Sequence, residues 1–155
     1  MTGVQRIIGP GHNPRPTSRP PSGLVASGVV ELAAGALSGW VYAAVMYDDG
    51  ARKLGIRSTA RIRQWHLDLV ALGTSTIALG LAVPDAPTGV RHTLAVGAWS
   101  NAMMFLPLAY RPELIQHPAY RALGLASFVT TSVGFSGMAA VALARVAATR
   151  GSARG

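Results

Sequence analysis

The sequence predicts an all-α integral membrane protein, and three observations carry this prediction. Half of the 155 residues are apolar, only 13% are charged, and the apolar residues gather in four long segments. That charged share is about half of what soluble domains carry. A chain this short has a large surface relative to its core, so a soluble fold would need a far more charged exterior. We therefore expect four membrane-spanning helices packed as a bundle.

The four apolar segments are each long enough to cross a bilayer. Their predicted bounds are Leu24 to Met46, His66 to Val83, Thr93 to Tyr110 and Ala122 to Val146. At a rise of about 1.5 Å per residue, each helix reaches about 27 Å or more, roughly the thickness of the hydrocarbon layer. The charged residues within these segments are Glu31, Asp68 and Arg145. We expect an integral, multi-pass protein of a bacterial cytoplasmic membrane.

The two ends of the chain differ from the bundle in composition. Residues 1–23 contain five prolines with Gly and Arg between them, which is typical of a disordered basic tail. Residues 24–146 form the predicted bundle, and residues 147–155 form a short basic tail. The first apolar run is too long for a cleaved signal peptide, so we expect an uncleaved span.

Glycines in all four segments predict close helix packing. Gly35 and Gly39 stand at a GxxxG spacing, and further glycines follow at Gly73, Gly97 and Gly134. In lipid, small residues let helix backbones approach closely where apolar burial gives no driving force. The pattern indicates a tight bundle or an oligomer.

Charge and aromatic patterns address orientation and exclude some functions. Lysines and arginines divide evenly between the two faces of a four-helix bundle, and the compact cluster over residues 52–63 favours a cytoplasmic 47–65 loop. The arginines alternate with apolar stretches, so the net charge of +8 does not indicate nucleic-acid binding. The absence of cysteine excludes disulfides, zinc-thiolate sites, iron-sulfur clusters and thiolate nucleophiles.

Six aromatic residues lie on the side of the 47–65 loop, as either an interfacial belt or the mouth of a site: Trp40, Tyr42, Tyr47, Trp65, Tyr110 and Tyr120.

Ionisable residues at membrane depth mark functional candidates, because burying them is costly. With Ser58 as helix N-cap, His66 lies about 12 Å along the second helix, on a stripe that includes Gly73. An imidazole above a glycine notch leaves room for a flat ring such as a porphyrin, whose iron the imidazole can ligate. The alternative is an interfacial histidine bonded to water or a carbonyl. Asp68, two residues on, points to another face.

Polar groups on the first and third segments give two further candidates. Trp99, Ser100 and Asn101 place an aromatic ring, a hydroxyl and an amide near mid-bundle, where Asn101 either joins helices or orients a ligand. Glu31 shares its face with Gly35 and so should point into the bundle, as a proton relay or as a protonated interhelical group. Glu31 and Asp68 together leave open a small transporter or channel subunit, and the glycine faces alone leave open a structural membrane protein.

Two stretches resemble a family of small four-helix membrane isomerases that includes styrene oxide isomerase and hydroxylaminobenzene mutase. The stretch Trp65-His66-Leu67-Asp68, continuing to Gly73 and Gly80, resembles the family's second helix, with its single His and a Gly seven positions on. The run Gly97-Ala98-Trp99-Ser100-Asn101 resembles the Gly-Trp-Ser-Asn run of the styrene oxide isomerases on the third helix. The resemblance covers residues 60–146.

The resemblance implies a haem b held by His66 between neighbouring subunits of a homotrimer. It further implies a ferric iron that acts as a Lewis acid on the oxygen of a small apolar or aromatic substrate, an epoxide or an arylhydroxylamine. Asn101 would orient that substrate, with Asp68, Trp99 and Ser100 as further catalytic candidates and Gly73 beside the haem, and the product would be an isomer. Leu72 and Phe105 stand where styrene oxide isomerases carry an Asn and an aromatic hydroxyl.

Overall fold

A computed structural model describes residues 22–47 and 49–153 as an all-helical chain without strands. The tail predicted over residues 1–23 lies outside the described residues except for its last two. The helices are α1 (Gly23–Met46), α2 (Gly50–Lys53), α3 (Thr59–Ala82), α4 (Thr88–Met103), α5 (Phe105–Tyr110) and α6 (Pro118–Ser152), with a 3₁₀ helix at Pro112–Gln116.

Three helices, α1, α3 and α6, are long and apolar enough to cross a membrane. This confirms the all-α prediction and three of the expected segments. α3 begins at Thr59, with Ser58 in the predicted N-cap position, although the Ser58 side chain makes no capping hydrogen bond. α6 begins with Pro118, whose fixed φ suits a first helical position, and continues to Ser152, so most of the predicted C-terminal tail is helical.

The third apolar segment is not the single helix that we predicted over Thr93 to Tyr110. α4 ends at Met103 and α5 begins at Phe105. Pro107 explains the break, because it has no N–H to donate to the Met103 carbonyl and its ring crowds that carbonyl. Met104 keeps helical backbone angles (φ −62°, ψ −23°), and its N–H bonds to the Ser100 carbonyl at 3.1 Å. The helical path is therefore interrupted at one residue and not replaced by a loop.

Glycines bring the helix backbones into contact in two pairs, α1 with α3 and α4 with α6. A Cβ added at Gly73 would lie 2.6 Å from the Leu32 nitrogen on α1. A Cβ at Gly97 would lie 2.6 Å from Thr131 Cα on α6, and one at Gly134 would lie 2.5 Å from Leu94 Cα on α4. No side chain fits at such separations, so the predicted close packing of glycine faces is confirmed.

Two apolar clusters hold the ends of the helices together. The cluster near the α3–α4 connection joins all four long segments and consists of Leu24, Val83, Ala86, Leu94 and Met138. The cluster at the other end joins α1, α3, α5 and the α2–α3 connection, and consists of Val45, Ile56, Ile62 and Ala109. α6 contributes Met138 to the first cluster and no residue to the second. A cleft between α6 and the α4–α5 segment lies at this second end.

Candidate functional site

The His66 side chain is held by the backbone and a hydroxyl of α1. Its Nδ1 lies 2.9 Å from the Gly35 carbonyl oxygen and 3.1 Å from Ser38 Oγ, while Ser38 Oγ donates to the same carbonyl at 2.7 Å. A carbonyl oxygen only accepts, so the proton of the neutral imidazole must be on Nδ1. The geometry therefore selects the tautomer whose Nε2 carries a free lone pair.

The imidazole ring of His66 has two further contacts on α1. It stacks on Tyr42, with ring centroids 5.8 Å apart and planes at 19°. A Cβ added at Gly39 would lie 3.3 Å from Cε1, so the second glycine of the GxxxG pair makes room for the ring. Nε2 makes no hydrogen bond to any residue that the structure describes. The bond to a carbonyl is one of the two alternatives that the sequence left open for His66. Ligation of haem iron by the other nitrogen stays a prediction.

The hydrogen bonding of His66 is of the kind that metal-binding histidines use. Histidines that bind a metal commonly donate their other ring N–H to a carbonyl or a carboxylate, which fixes the ring and makes the ligating nitrogen more basic. The Gly35 carbonyl and Ser38 fill that role here. No group of three or more His, Asp or Glu side chains suited to a bare metal ion occurs in residues 22–47 and 49–153. A single available imidazole suits a metal whose other ligands come from a macrocycle.

Gly73 does not provide the notch that we predicted beside His66. A Cβ there would meet the Leu32 nitrogen at 2.6 Å and the Gly28 carbonyl oxygen at 3.0 Å. The backbone of α1 thus fills the space above Gly73 and leaves no room for a flat ring. The prediction was wrong because the second-helix stripe that carries the glycine packs against α1.

Asn101 lies in a cavity between the α4–α5 segment and α6, which we call the α5–α6 cavity. The cavity measures about 360 Å³ and is lined by Asn101, Met104, Phe105, Leu108, Ile115, Tyr120, Arg121, Gly124 and Phe128. The amide of Asn101 makes no hydrogen bond within the described part of the chain. Tyr120 donates its hydroxyl hydrogen to the Met104 carbonyl beside it. Asn101 therefore offers an unpaired amide to a mostly apolar space.

Trp99 and Ser100 point away from this cavity and join helices. Trp99 Nε1 donates to Ser27 Oγ on α1 at 3.1 Å. Ser100 Oγ donates to the Gly97 carbonyl at 3.1 Å and lies 2.8 Å from Ser127 Oγ on α6. Their predicted catalytic roles are not supported, because both side chains already have partners within the fold.

The two carboxylates predicted at membrane depth differ in burial. Asp68 is half-buried on the face of α3 that it shares with Trp65 and Leu72, and it forms no ion pair with a described residue. Glu31 is fully buried, and neither of its carboxyl oxygens has a hydrogen-bond partner. The Thr76 hydroxyl on α3 is also fully buried and unpartnered. Glu31 points into the bundle as predicted, but no described side chain pairs with it.

His66 and Asn101 face different helices. His66 bonds to α1, whereas Asn101 lines a space bounded by α6. The chain thus presents the two halves of the expected site, a metal-binding nitrogen and an orienting amide, on separate faces. The sequence pattern did not single out Ser38, although Ser38 stands one helical turn after Gly35 and so shares its face. Tyr42 was named only as one of six aromatic residues of a belt or a site mouth, not as a partner of His66.

Comparison of the chain with protein-family models, with curated proteins and with solved structures finds no match.

Proposed function

We propose that the chain is a haem-binding membrane isomerase of the bacterial cytoplasmic membrane. Three helices can cross the bilayer, and the α4–α5 segment supplies the fourth span of the bundle. With 16 residues in α4, 6 in α5 and Met104 between them, this segment is about 34 Å long. Pro within a membrane span is tolerated because neighbouring groups satisfy the freed carbonyls.

The observation that carries the proposal is the hydrogen bonding of His66 Nδ1 to the Gly35 carbonyl. Gly35 and Ser38 hold Nδ1, and Tyr42 and Gly39 hold the ring plane, so Nε2 is presented in one direction with its lone pair free. His66 would hold a haem b through Nε2, and that group would supply a Lewis-acidic iron for a rearrangement without net oxidation. The chain's own residues set the position of that iron, because the ring cannot rotate without breaking the bond to Gly35.

The α5–α6 cavity supports a small, largely apolar substrate. Its volume of about 360 Å³ falls at the lower end of ligand-sized pockets, and its wall is formed mostly by Phe, Leu, Ile and Met side chains. Asn101 can donate to or accept from one oxygen at the inner end of the cavity. A hydrogen bond to the reacting oxygen is stronger beside such apolar walls than in bulk water. Epoxides and arylhydroxylamines have this combination of an apolar body and a single reactive oxygen.

The separation of His66 from Asn101 supports a site shared between copies. In one chain, the imidazole faces α1 and the amide faces α6, so an assembly that places α1 of one copy near α6 of the next would unite them. The family resemblance implies a homotrimer with the haem between neighbouring subunits, which is consistent with such a shared site. We propose that a homotrimer completes each site with His66 from one subunit and Asn101 from its neighbour.

The direct test of the ligand is the pair His66→Ala and His92→Ala. Both substitutions remove one imidazole, but His92 is exposed at the start of α4. We expect His66→Ala to lose the haem absorption of protein purified from haem-replete cells, and His92→Ala to keep it. A full haem spectrum in His66→Ala would remove His66 as the ligand. Loss of epoxide rearrangement in Asn101→Ala with haem retained would separate the substrate role from haem binding.

Glu31 favours a second candidate function, a proton-coupled transporter or channel subunit. A carboxyl group at mid-membrane without any partner is costly and marks a proton pathway in many membrane proteins. This function predicts flux in liposomes that depends on pH and is lost in Glu31→Gln and in Asp68→Asn. Colourless protein with such flux would favour it over the isomerase, and coloured protein without flux would exclude it.

A further inference from the structure

The outer end of the α5–α6 cavity differs chemically from its inner end. Asn101 and Phe128 line the inner end, whereas Ile115 and Arg121 line the outer end, where the 3₁₀ helix connects α5 to α6. Leu108 and Asn101 are seven residues apart, so the cavity extends about 10 Å along the helix axis. It runs from the level of Asn101 to the level of the connecting segment between the helices.

Arginines surround this outer end. Arg121 lines the cavity directly, and the Arg61 guanidinium carbon lies 5.8 Å from the ring centroid of Phe105, another lining residue. Arg111 follows α5 at the same end and is exposed. Within the described residues, Arg61, Arg111 and Arg121 have no acidic partner, because the acids at this end, Asp49 and Glu113, pair with Arg52 and Arg57. Among residues 22–47 and 49–153, the rim of the cavity therefore carries positive charge without a paired acid.

An apolar surface continues from this basic rim along α6. Leu125, Phe128 and Val129 are each more than half exposed, and they follow Arg121 within about two turns of the helix. A soluble anion would contact the rim alone. A molecule with an acyl chain and a phosphate would cover both the rim and the apolar surface, with each part in its preferred environment.

We propose that the outer end of the α5–α6 cavity binds the phosphate of an anionic phospholipid, with its acyl chain along α6. Arg61 and Arg121 donate charge-assisted hydrogen bonds to the phosphate oxygens, a pairing that suits the guanidinium geometry. A zwitterionic lipid brings the same phosphate but adds a cation that the arginines repel. Basic pockets between membrane helices are known binding places for anionic headgroups. This inference depends on the membrane insertion proposed above but not on haem or catalysis.

The test compares defined lipids on purified full-length protein in detergent, with bound lipid counted by native mass spectrometry. The lipids are phosphatidylglycerol, phosphatidylcholine and diacylglycerol with the same acyl chains, and inorganic phosphate serves as a soluble competitor. We expect phosphatidylglycerol to bind most tightly and excess phosphate not to displace it. Equal binding of the three lipids, or displacement by phosphate, would overturn the proposal.

Three variants locate the site. One arginine near a membrane surface contributes about 1 kcal/mol to binding anionic lipid, which corresponds to about a five-fold change in affinity. We therefore expect Arg121→Gln and Arg61→Gln each to weaken phosphatidylglycerol binding about five-fold. Arg150→Gln removes the same charge from the opposite end of α6 and should leave binding unchanged. An equal loss in Arg150→Gln would show general charge attraction and overturn the assignment to the cavity. Haem absorption, read from the same samples, separates failure of this inference from failure of the proposed function.

Discussion

Replacement of Gly97 by Ala tests whether α4 and α6 are in backbone contact. The new Cβ would lie 2.6 Å from Thr131 Cα and 2.7 Å from Thr131 N, about 0.8 Å short of ordinary contact. Both neighbours are backbone atoms, so relief requires the helices to separate. Separation also strains the hydrogen bond from Thr131 Oγ1 to the Gly97 carbonyl, which is 2.8 Å long.

The expected loss of stability follows from these terms. Overpacking costs about 1–3 kcal/mol, and a strained interhelical hydrogen bond in a membrane adds about 0.6 kcal/mol. Alanine recovers about 0.5–1 kcal/mol through its better helix propensity. The net loss is about 2 kcal/mol, which lowers the melting temperature by about 4–8 °C for a domain of this size.

Gly89→Ala is the matched control on the same helix. A Cβ at Gly89 meets nothing within 4 Å, so this variant should melt at or slightly above the wild-type temperature. Thermal unfolding of both variants in one detergent, followed by size-exclusion chromatography, gives the comparison. Equal melting temperatures for the two variants would refute the packing of α4 against α6 at Gly97.

Three further changes probe other parts of the structure. Pro107→Ala supplies an N–H for the Met103 carbonyl, so amide hydrogen exchange around residues 104–107 should slow. Unchanged exchange would mean that Pro107 does not cause the break between α4 and α5. Glu31→Met replaces two buried unpartnered oxygens by a side chain of similar volume. It should therefore raise the unfolding free energy by about 1–3 kcal/mol. A lower melting temperature would show that the carboxyl has a partner in the folded protein. Ser38→Ala should weaken haem binding about ten-fold in titrations of the apo-protein. Ser58→Ala is the control and should leave haem binding unchanged, because the Ser58 hydroxyl makes no capping bond. Equal affinities of the two variants would show that Ser38 does not position His66.

The helices were predictable because their signals are local. The apolar lengths placed α1, α3 and α6, and Ser58 marked the start of α3, since these features need only composition and spacing. The break before α5 was missed although Pro107 stands in the sequence. The prediction of one helix was based on hydrophobic length and did not consider the N–H that Pro107 lacks. In the structure, the helix is interrupted at Met104, as the missing N–H explains.

The candidate site was predictable only in its individual residues. His66 was identified because a histidine at membrane depth is unusual, but its partners Gly35 and Ser38 depend on how α1 and α3 align. That alignment comes from backbone contacts at glycines, which spacing within one helix does not reveal. The partners of Trp99 and Ser100 could not be predicted for the same reason, because Ser27 and Ser127 are distant in sequence. Short motifs identify residue types, whereas interhelical register decides what each one contacts.

Haem binding is tested by the absorption spectrum of detergent-purified wild-type protein from haem-replete cells, recorded before and after dithionite. We expect a Soret band at close to one haem per chain that shifts on reduction, because His66 presents Nε2 with a free lone pair. Protein that is purified from the membrane fraction, incubated with haem and still without a Soret band would contradict haem binding.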